Sequence, residues 1–190
     1  MQRKEVNGND RRTQYTRRVI REAFMELLKT TPYPKITVTE LCRLAEINRG
    51  TFYLHYYDVD DVLDDILEQT FSVMSSTLDH VLCPQKETCT YPFCQKVQED
   101  ETLWPLFMDD TVSERIVRRL SERSKEGFVS YLMQHSPLTF EQAEAIFHFQ
   151  LNGCMTINRL MLKNKCRDWH TIQQTIDRFI RAGLEEFLRE

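Results

Sequence analysis

Residues 37–57 read TVTELCRLAEINRGTFYLHYY and contain two short helical patterns in close succession. Thr37 followed by Glu40 fits a capping box, in which each side chain accepts a hydrogen bond from the backbone N–H of the other residue. Asn48 is a suitable N-cap for a second short helix over residues 49–56. Because only three residues connect the two patterns, they predict a helix-turn-helix.

The second helix of this pair has two different sides when it is projected at about 100° per residue. Phe52 and Tyr56 share the side that packs against the rest of the unit. The other side and its edges carry the candidate DNA-contacting residues Arg49, Gly50, Thr51, Tyr53, Leu54 and His55. Base edges and thymine methyl groups suit Thr51 and Leu54, and a guanine or a phosphate suits Arg49. Phosphate oxygens suit Tyr53 and His55.

Helix pairs of this kind also occur in all-α proteins that bind no DNA, so charge is an important second observation. The first 57 residues have eleven Lys and Arg against six Asp and Glu, a net charge of +5. Residues 58–190 have 14 Lys and Arg against 23 Asp and Glu, a net charge of −9, and the net charge of the whole chain is −4. A basic N-terminal part on a larger acidic body indicates a polyanion-binding module joined to a second unit.

The rest of the sequence predicts helices and no sheet. Gly and Pro number only 5 and 6 in 190 residues, too few for the many tight turns of an all-β protein. Apolar residues recur at helical spacing over residues 11–30, 60–82, 93–100, 103–108, 112–133, 140–163 and 171–188. The prediction is an all-α fold with a flexible basic arm over 1–10, a helix-turn-helix unit over 11–60 and a helical unit over 61–190. The boundary is expected inside the long helix, near residues 60–68.

The run Gly50-Thr51-Phe52-Tyr53 with His55-Tyr56, and an alanine five residues before Gly50, resembles the DNA-binding signature of TetR-family transcriptional regulators. This resemblance covers residues 11–63, and the remainder is similar only in its length and helical character. It implies a homodimer on a double-stranded DNA operator. It also implies a repressor that is controlled by a small-molecule effector or a protein partner.

The resemblance assigns roles to individual residues of this sequence. Thr37, Thr39, Tyr53 and His55 would contact the DNA backbone, and Arg49, Gly50 and Thr51 would lie in the groove. One position departs from the family, because Val59, followed by Asp60 and Asp61, stands where many members have a phosphate-binding lysine. Either that contact is missing or basic residues near the N-terminus replace it, namely Arg3, Lys4, Arg11 and Arg12.

The last two helical segments are the candidates for a dimer interface, since two copies of each would form a four-helix bundle. Their apolar stripes include Phe149, Gly153, Ile157, Ile176, Phe179 and Ile180. The alternative is that these stripes face the chain's own core. Gly153 is the best interface candidate, because a glycine in mid-helix allows close approach of another helix and otherwise lowers helix stability.

An effector pocket would be formed by large, adaptable side chains of the C-terminal unit. The candidates are Trp104, Phe107, Met108, Phe128, Tyr131, Phe147 and Met155. Packing in the core is the alternative role of these residues.

No catalytic, cofactor or metal site is predicted, because the six cysteines form no C-x-x-C pair and no histidine pattern matches a ligand motif. The sequence has no apolar run long enough to cross a membrane, and its polar N-terminus favours the cytoplasm. Two alternatives to DNA binding remain. One is a protein-binding adaptor on the same fold, favoured by Val59, Asp60 and Asp61. The other is a thiol sensor that uses Cys83, Cys89 and Cys94.

Overall fold

A computed structural model of the chain describes residues 11–73, 97, 99–166 and 168–188. These residues form helices and no β-strand, so the prediction of an all-α fold is confirmed. They divide into two compact units, one up to Thr70 and the other from Phe71 onward.

The first unit contains three complete helices and most of a fourth. They are α1 (Arg11–Leu28), α2 (Val38–Leu44), α3 (Arg49–Tyr53) and α4 (Val59–Val73), with a 3-10 turn at Tyr33–Lys35. Capping fixes where the helices begin. Thr37 and Glu40 form the predicted capping box of α2, with bonds of 3.3 and 3.0 Å. The carboxylate of Asp58 accepts the Asp61 backbone N–H at 2.9 Å, at the start of α4.

The prediction that the second helix of the pair extends to Tyr56 is wrong, because α3 ends at Tyr53. The backbone tightens there, and the N–H of His55 donates to the Phe52 carbonyl at 2.9 Å, an i→i−3 bond that closes a narrower turn. The connection before α3 is also one residue longer than predicted, and it contains Glu46 in the left-handed region with φ 54°.

The core of the first unit is built from apolar side chains of all four helices and the 3-10 turn. Its buried members include Ile20, Ala23, Phe24, Leu28, Tyr33, Ile36, Leu41, Phe52, Tyr56, Val62, Leu63 and Leu67. Phe52 and Tyr56 are therefore both buried, as predicted, although Tyr56 lies beyond the end of α3. Their rings are 5.9 Å apart, which anchors the chain on both sides of the end of α3.

The second unit contains α5 (Trp104–Met108), α6 (Asp110–His135), α7 (Phe140–Lys163) and α8 (Trp169–Leu188). Asp109 caps α6, and Thr139 with Gln142 forms a second capping box at the start of α7. The predicted limits of α7 agree with the structure. The helix α6 is two residues longer than predicted at both ends, and α8 begins two residues earlier than predicted. The arm over 1–10, the predicted loop over 83–92 and most of the segment over 93–100 lie outside the described residues.

The core of the second unit lies mainly between α5, α6 and α7. Its buried side chains include Leu106, Phe107, Val112, Ile116, Leu120, Phe128, Leu132, Phe147, Leu151 and Met155. Ion pairs connect α6 to α7, including Lys125 with Glu144 at 2.8 Å and Arg159 with Asp110.

Candidate nucleic-acid interface

The α3 helix turns one side toward solvent. The carboxamide oxygen of Asn48 accepts the Thr51 N–H at 2.8 Å and fixes its first turn. Arg49 and Gly50 are exposed, Tyr53 is 48% exposed and Leu54 is 78% exposed. None of the eight residues predicted to contact DNA is buried: Thr37, Thr39, Arg49, Gly50, Thr51, Tyr53, Leu54 and His55.

Arg49 and Tyr53 are paired along the exposed edge of α3. The guanidinium donates a hydrogen bond of 3.0 Å to the Tyr53 hydroxyl, and its carbon atom lies 5.8 Å from the ring centroid. Since the guanidinium has five N–H donors, this contact leaves others available for an acceptor. The pair therefore presents a positive charge next to a hydroxyl group, a suitable combination for phosphate oxygens.

Gly50 has a structural role in the cap in addition to its exposure. A Cβ atom at this position would lie 3.2 Å from the Asn48 side-chain oxygen, which is the atom that caps the helix. Any larger residue would press on this cap. Gly50 is predicted to lie in the groove, and the cap gives an independent reason for a glycine at this position.

Arg17 is a site residue that the sequence analysis missed. Its guanidinium lies 5.5 Å from the ring centroid of Tyr56, next to the end of α3. Burial lowers the pKa of His55, and the positive charge of Arg17 lowers it further. His55 is therefore neutral near pH 7. The four-residue spacing of Arg17 and Arg21, which places both on one side of α1, was the available signal.

A carboxylate on α4 connects three elements of the first unit. Asp65 accepts hydrogen bonds from the Tyr56 hydroxyl, from the Arg21 guanidinium at 2.9 Å and from the Gln69 amide at 3.1 Å. Burial opposes its charge, but these three donors outweigh burial and hold the pKa of Asp65 below its ordinary value. The pKa of Tyr56 is raised, mainly because the hydroxyl group is buried and also because it donates a hydrogen bond to Asp65. The end of α3 is thus attached to α1 and α4.

The acidic residues that follow Val59 take part in local contacts. Asp60 accepts a hydrogen bond from the Tyr33 hydroxyl, and Asp61 accepts the Tyr57 backbone N–H at 2.7 Å. Both carboxylates therefore help to hold the chain before α4. Of the basic residues proposed to compensate, Arg11 and Arg12 are exposed in α1, whereas Arg3 and Lys4 lie outside the described residues.

The residues predicted for a dimer interface are not in the core of the second unit. On α7, Phe149 is 71% exposed, while Gly153 and Ile157 are half-buried. On α8, Phe179 is 63% exposed, and Ile176 and Ile180 are half-buried. The core-facing side of α7 is a different one, and it carries Ala143, Phe147, Leu151, Cys154, Met155 and Leu162.

The predicted effector residues do not share one surface. Phe107, Phe128, Phe147 and Met155 are buried, Met108 is exposed, and Trp104 and Tyr131 are half-buried. The Trp104 indole N–H donates to the Val97 carbonyl at 3.0 Å. Tyr131 stacks on the ring of His135, with 4.2 Å between the centroids.

A cleft of about 510 Å³ lies between α6 and α7. Most of its lining residues are polar or charged, including Arg118, Asn152 and Arg159, but apolar atoms contribute most of the exposed lining surface. Among the predicted effector residues, Met155 lines it.

The thiol-sensor alternative gains no support from the part of the chain that is described. Cys83, Cys89 and Cys94 lie outside it. Burial raises the pKa of the Cys42 thiol, which disfavours the reactive thiolate. Within the described ranges, His, Cys, Asp and Glu form no group suited to a metal ion, and no helix is long and apolar enough to span a membrane.

Comparison with known proteins gives partial matches, and no protein-family model matches the chain. A 73-residue match at 30% identity covers 38% of this chain and 18% of the uncharacterized HTH-type transcriptional regulator YxbF of Bacillus subtilis (strain 168). A 64-residue match at 30% identity covers 34% of this chain and 34% of the HTH-type dhaKLM operon transcriptional activator DhaS of Lactococcus lactis subsp. lactis (strain IL1403). The matched segments therefore span about a third or less of these relatives.

Among solved structures, the dihydroxyacetone kinase operon activator DhaS superposes with a TM-score of 0.59 at 18% identity. The match covers 91% of this chain and 98% of the other, which shows a common all-helical fold. The relatives are regulators rather than enzymes, in agreement with the absence of a predicted catalytic site. Both curated relatives are described as HTH-type transcriptional regulators, and the similarity to them lies in segments of 73 and 64 residues.

Proposed function

We propose that this chain is a homodimeric, DNA-binding transcriptional regulator of the TetR type that acts on a double-stranded operator in the cytoplasm. The main support is the local geometry of α3. Its buried side is anchored by Phe52 and Tyr56, and its exposed side offers Arg49, Tyr53 and Leu54 to a partner. An exposed helix within residues 1–57, the segment with a net charge of +5, is suited to the DNA major groove.

Dimerisation is supported by the exposed stripe of α8. The only buried residues of this helix are Trp169 and Gln173, so its apolar residues from Ile172 to Leu188 remain at least partly exposed in a single chain. The exposed side of α7, which carries Phe149, adds to this apolar area. A second copy would cover both stripes in a four-helix bundle. It would also supply a second copy of α3 about 34 Å from the first, a distance that corresponds to one helical turn of DNA.

From the sequence we predict that the protein represses transcription. It would leave the operator when an effector or a protein partner favours another arrangement of the dimer. Activation is the alternative, and the similarity to a protein described as an operon activator favours it. The cleft between α6 and α7 is a candidate effector site. A change in transcript level of the bound gene when this regulator is deleted will distinguish repression from activation.

The proposal is tested by titrating labelled genomic fragments with the purified protein at several salt concentrations. Tight binding to a preferred fragment should weaken steeply as salt rises, because phosphate contacts release counterions. Tyr53→Ala should abolish this binding and leave the dimer intact, while Met133→Ala, an exposed side chain of the second unit, should change neither. Retained tight binding by Tyr53→Ala would contradict the proposed docking side.

The same titration examines the alternative adaptor function. An adaptor should bind every fragment weakly and without preference at all salt concentrations. The contacts of Asp60 and Asp61 with Tyr33 and Tyr57 favour a structural role for the two carboxylates, which removes part of the support for this alternative.

A further inference from the structure

Leu54 differs in chemistry from the other exposed residues around α3. Its side chain is 78% exposed, whereas Leu41, Leu63 and Leu67 of the same unit are fully buried. It has no hydrogen-bonding group, so it can bind neither a phosphate oxygen nor the polar edge of a base. Its neighbours Tyr53 and His55 have such groups. Leu54 is therefore an apolar contact point between two polar ones.

The direction of Leu54 is fixed by its surroundings. Phe52 and Tyr56 are buried on either side of it, and the Phe52 ring also packs edge-on against Tyr53 at 5.5 Å. The N–H of Leu54 donates to the Thr51 carbonyl at 3.3 Å in the tight turn that ends α3. With both flanking aromatic residues anchored, the Leu54 side chain cannot turn into the core without unfolding this turn.

We propose that Leu54 recognises a thymine in each half-site by packing against its C5-methyl group, an inference that rests on the proposed function. The thymine methyl is the one apolar group that base pairs present in the major groove. Thr51 precedes Leu54 by three residues and lies on the same side of the helix, with the two Cβ atoms roughly 5–6 Å apart. Since stacked bases are about 3.4 Å apart, both residues reach bases within two steps of each other.

This contact has a different dependence on salt from the phosphate contacts. Packing on a methyl group neutralises no charge and releases no counterion. Loss of the Leu54 side chain should therefore lower affinity without changing the slope of affinity against salt concentration. Loss of a phosphate contact should change both.

The test uses the tightest-binding duplex selected from a random pool, with each thymine replaced in turn by deoxyuridine, which removes only the methyl group. For the wild-type protein, one thymine in each half-site should be sensitive. Its replacement should weaken binding roughly fourfold, the ratio that corresponds to about 0.8 kcal/mol for one buried methyl group. For Leu54→Ala, replacement of the same thymine should have no effect.

Leu44→Ala is the matched control, since Leu44 is 41% exposed and lies in α2, the other helix of the pair. It should retain the sensitivity to deoxyuridine, and circular dichroism should show the same helix content in both variants. Our inference is overturned if the wild-type protein tolerates every replacement, or if Leu54→Ala keeps the same sensitive thymine. Failure of all duplexes to bind at any salt concentration would instead overturn the proposed function and the inference with it.

Discussion

The hydroxyl group of Tyr56 donates a hydrogen bond to the carboxylate of Asp65, and this bond attaches the end of α3 to α4. The Arg21 guanidinium binds the same carboxylate at 2.9 Å, so α1 is part of the connection. The position of the exposed α3 side therefore depends on a buried tyrosine and a partly buried ion pair as well as on apolar packing. The helix α4 continues past Thr70, the last residue of the first unit. A displacement of α4 would therefore be passed on to the end of α3 through the contact of Asp65 with Tyr56.

We expect Asp65→Asn to destabilise the first unit by about 1–3 kcal/mol, because it weakens the acceptor for Tyr56 and leaves Arg21 without its carboxylate. Urea denaturation measures this change. Tyr56→Phe removes the hydroxyl group alone, and the double variant should lose less than the sum of the single losses. Because the pKa of Asp65 is lowered on folding, its contribution is present above the ordinary aspartate pKa and should disappear as the pH falls below it. Additive losses at neutral pH would contradict the coupling.

A second prediction concerns the turn between α2 and α3. Glu46 has φ 54°, and the N–H of the following residue, Ile47, donates to the Cys42 carbonyl at 3.0 Å, the pattern of a Schellman cap. The left-handed conformation costs a non-glycine residue about 1–2 kcal/mol. Glu46→Gly removes this cost but adds about 0.5–1 kcal/mol of backbone entropy to the unfolded chain. The net gain in stability should be about 0.5–1 kcal/mol.

The thermal midpoint of the Glu46→Gly variant measures this gain, and Glu46→Ala is the control. Alanine has a Cβ atom, so it keeps the strain and should give no increase. An equal increase in both variants would show that the glutamate side chain, rather than its backbone conformation, limits stability at this turn.

A third prediction tests the proposed dimer surface through Phe179, which is 63% exposed on α8. Each substitution at a twofold interface occurs twice, so the loss of one aromatic contact counts for both copies. Phe179→Ser should raise the dimer dissociation constant roughly 100-fold, the effect of losing one buried aromatic anchor on each side. Sedimentation velocity at several concentrations measures the change. Phe140→Ser, at an exposed position outside the stripe, should leave the constant unchanged, and an unchanged constant for Phe179→Ser would refute this interface.

Local features of the first unit were predictable from the sequence. The capping residues Thr37 and Asn48 and the buried side of α3 with Phe52 depend on short-range spacing, which a linear sequence displays directly. The early end of α3 was not predictable in the same way. The chain leaves the helix in a tight turn, and Tyr56, just after this turn, contacts Asp65 on α4. The proximity of Arg17 to the end of α3 is likewise a tertiary contact between helices distant in sequence.

In the second unit the periodicity predicted which segments are helical, but it did not assign their sides. Phe147 and Phe149 are two residues apart on α7, and the first is fully buried while the second is 71% exposed. Both are large and apolar, so only the packing of α6 against α7 decides which of them enters the core. For this reason the predicted effector residues are divided between core and surface positions.

The last prediction concerns acid sensitivity and His55. Burial and the charge of Arg17 lower its pKa in the folded chain below the ordinary value near 6.5. The unfolded chain therefore takes up a proton first as the pH falls, and folding is penalised from about pH 6.5 downward. Replacement by glutamine removes this titration. Urea midpoints of the wild-type protein should fall more steeply between pH 7.5 and pH 5 than those of His55→Gln. Parallel pH profiles for the wild-type protein and His55→Gln would show that Arg17 and burial do not act on this imidazole.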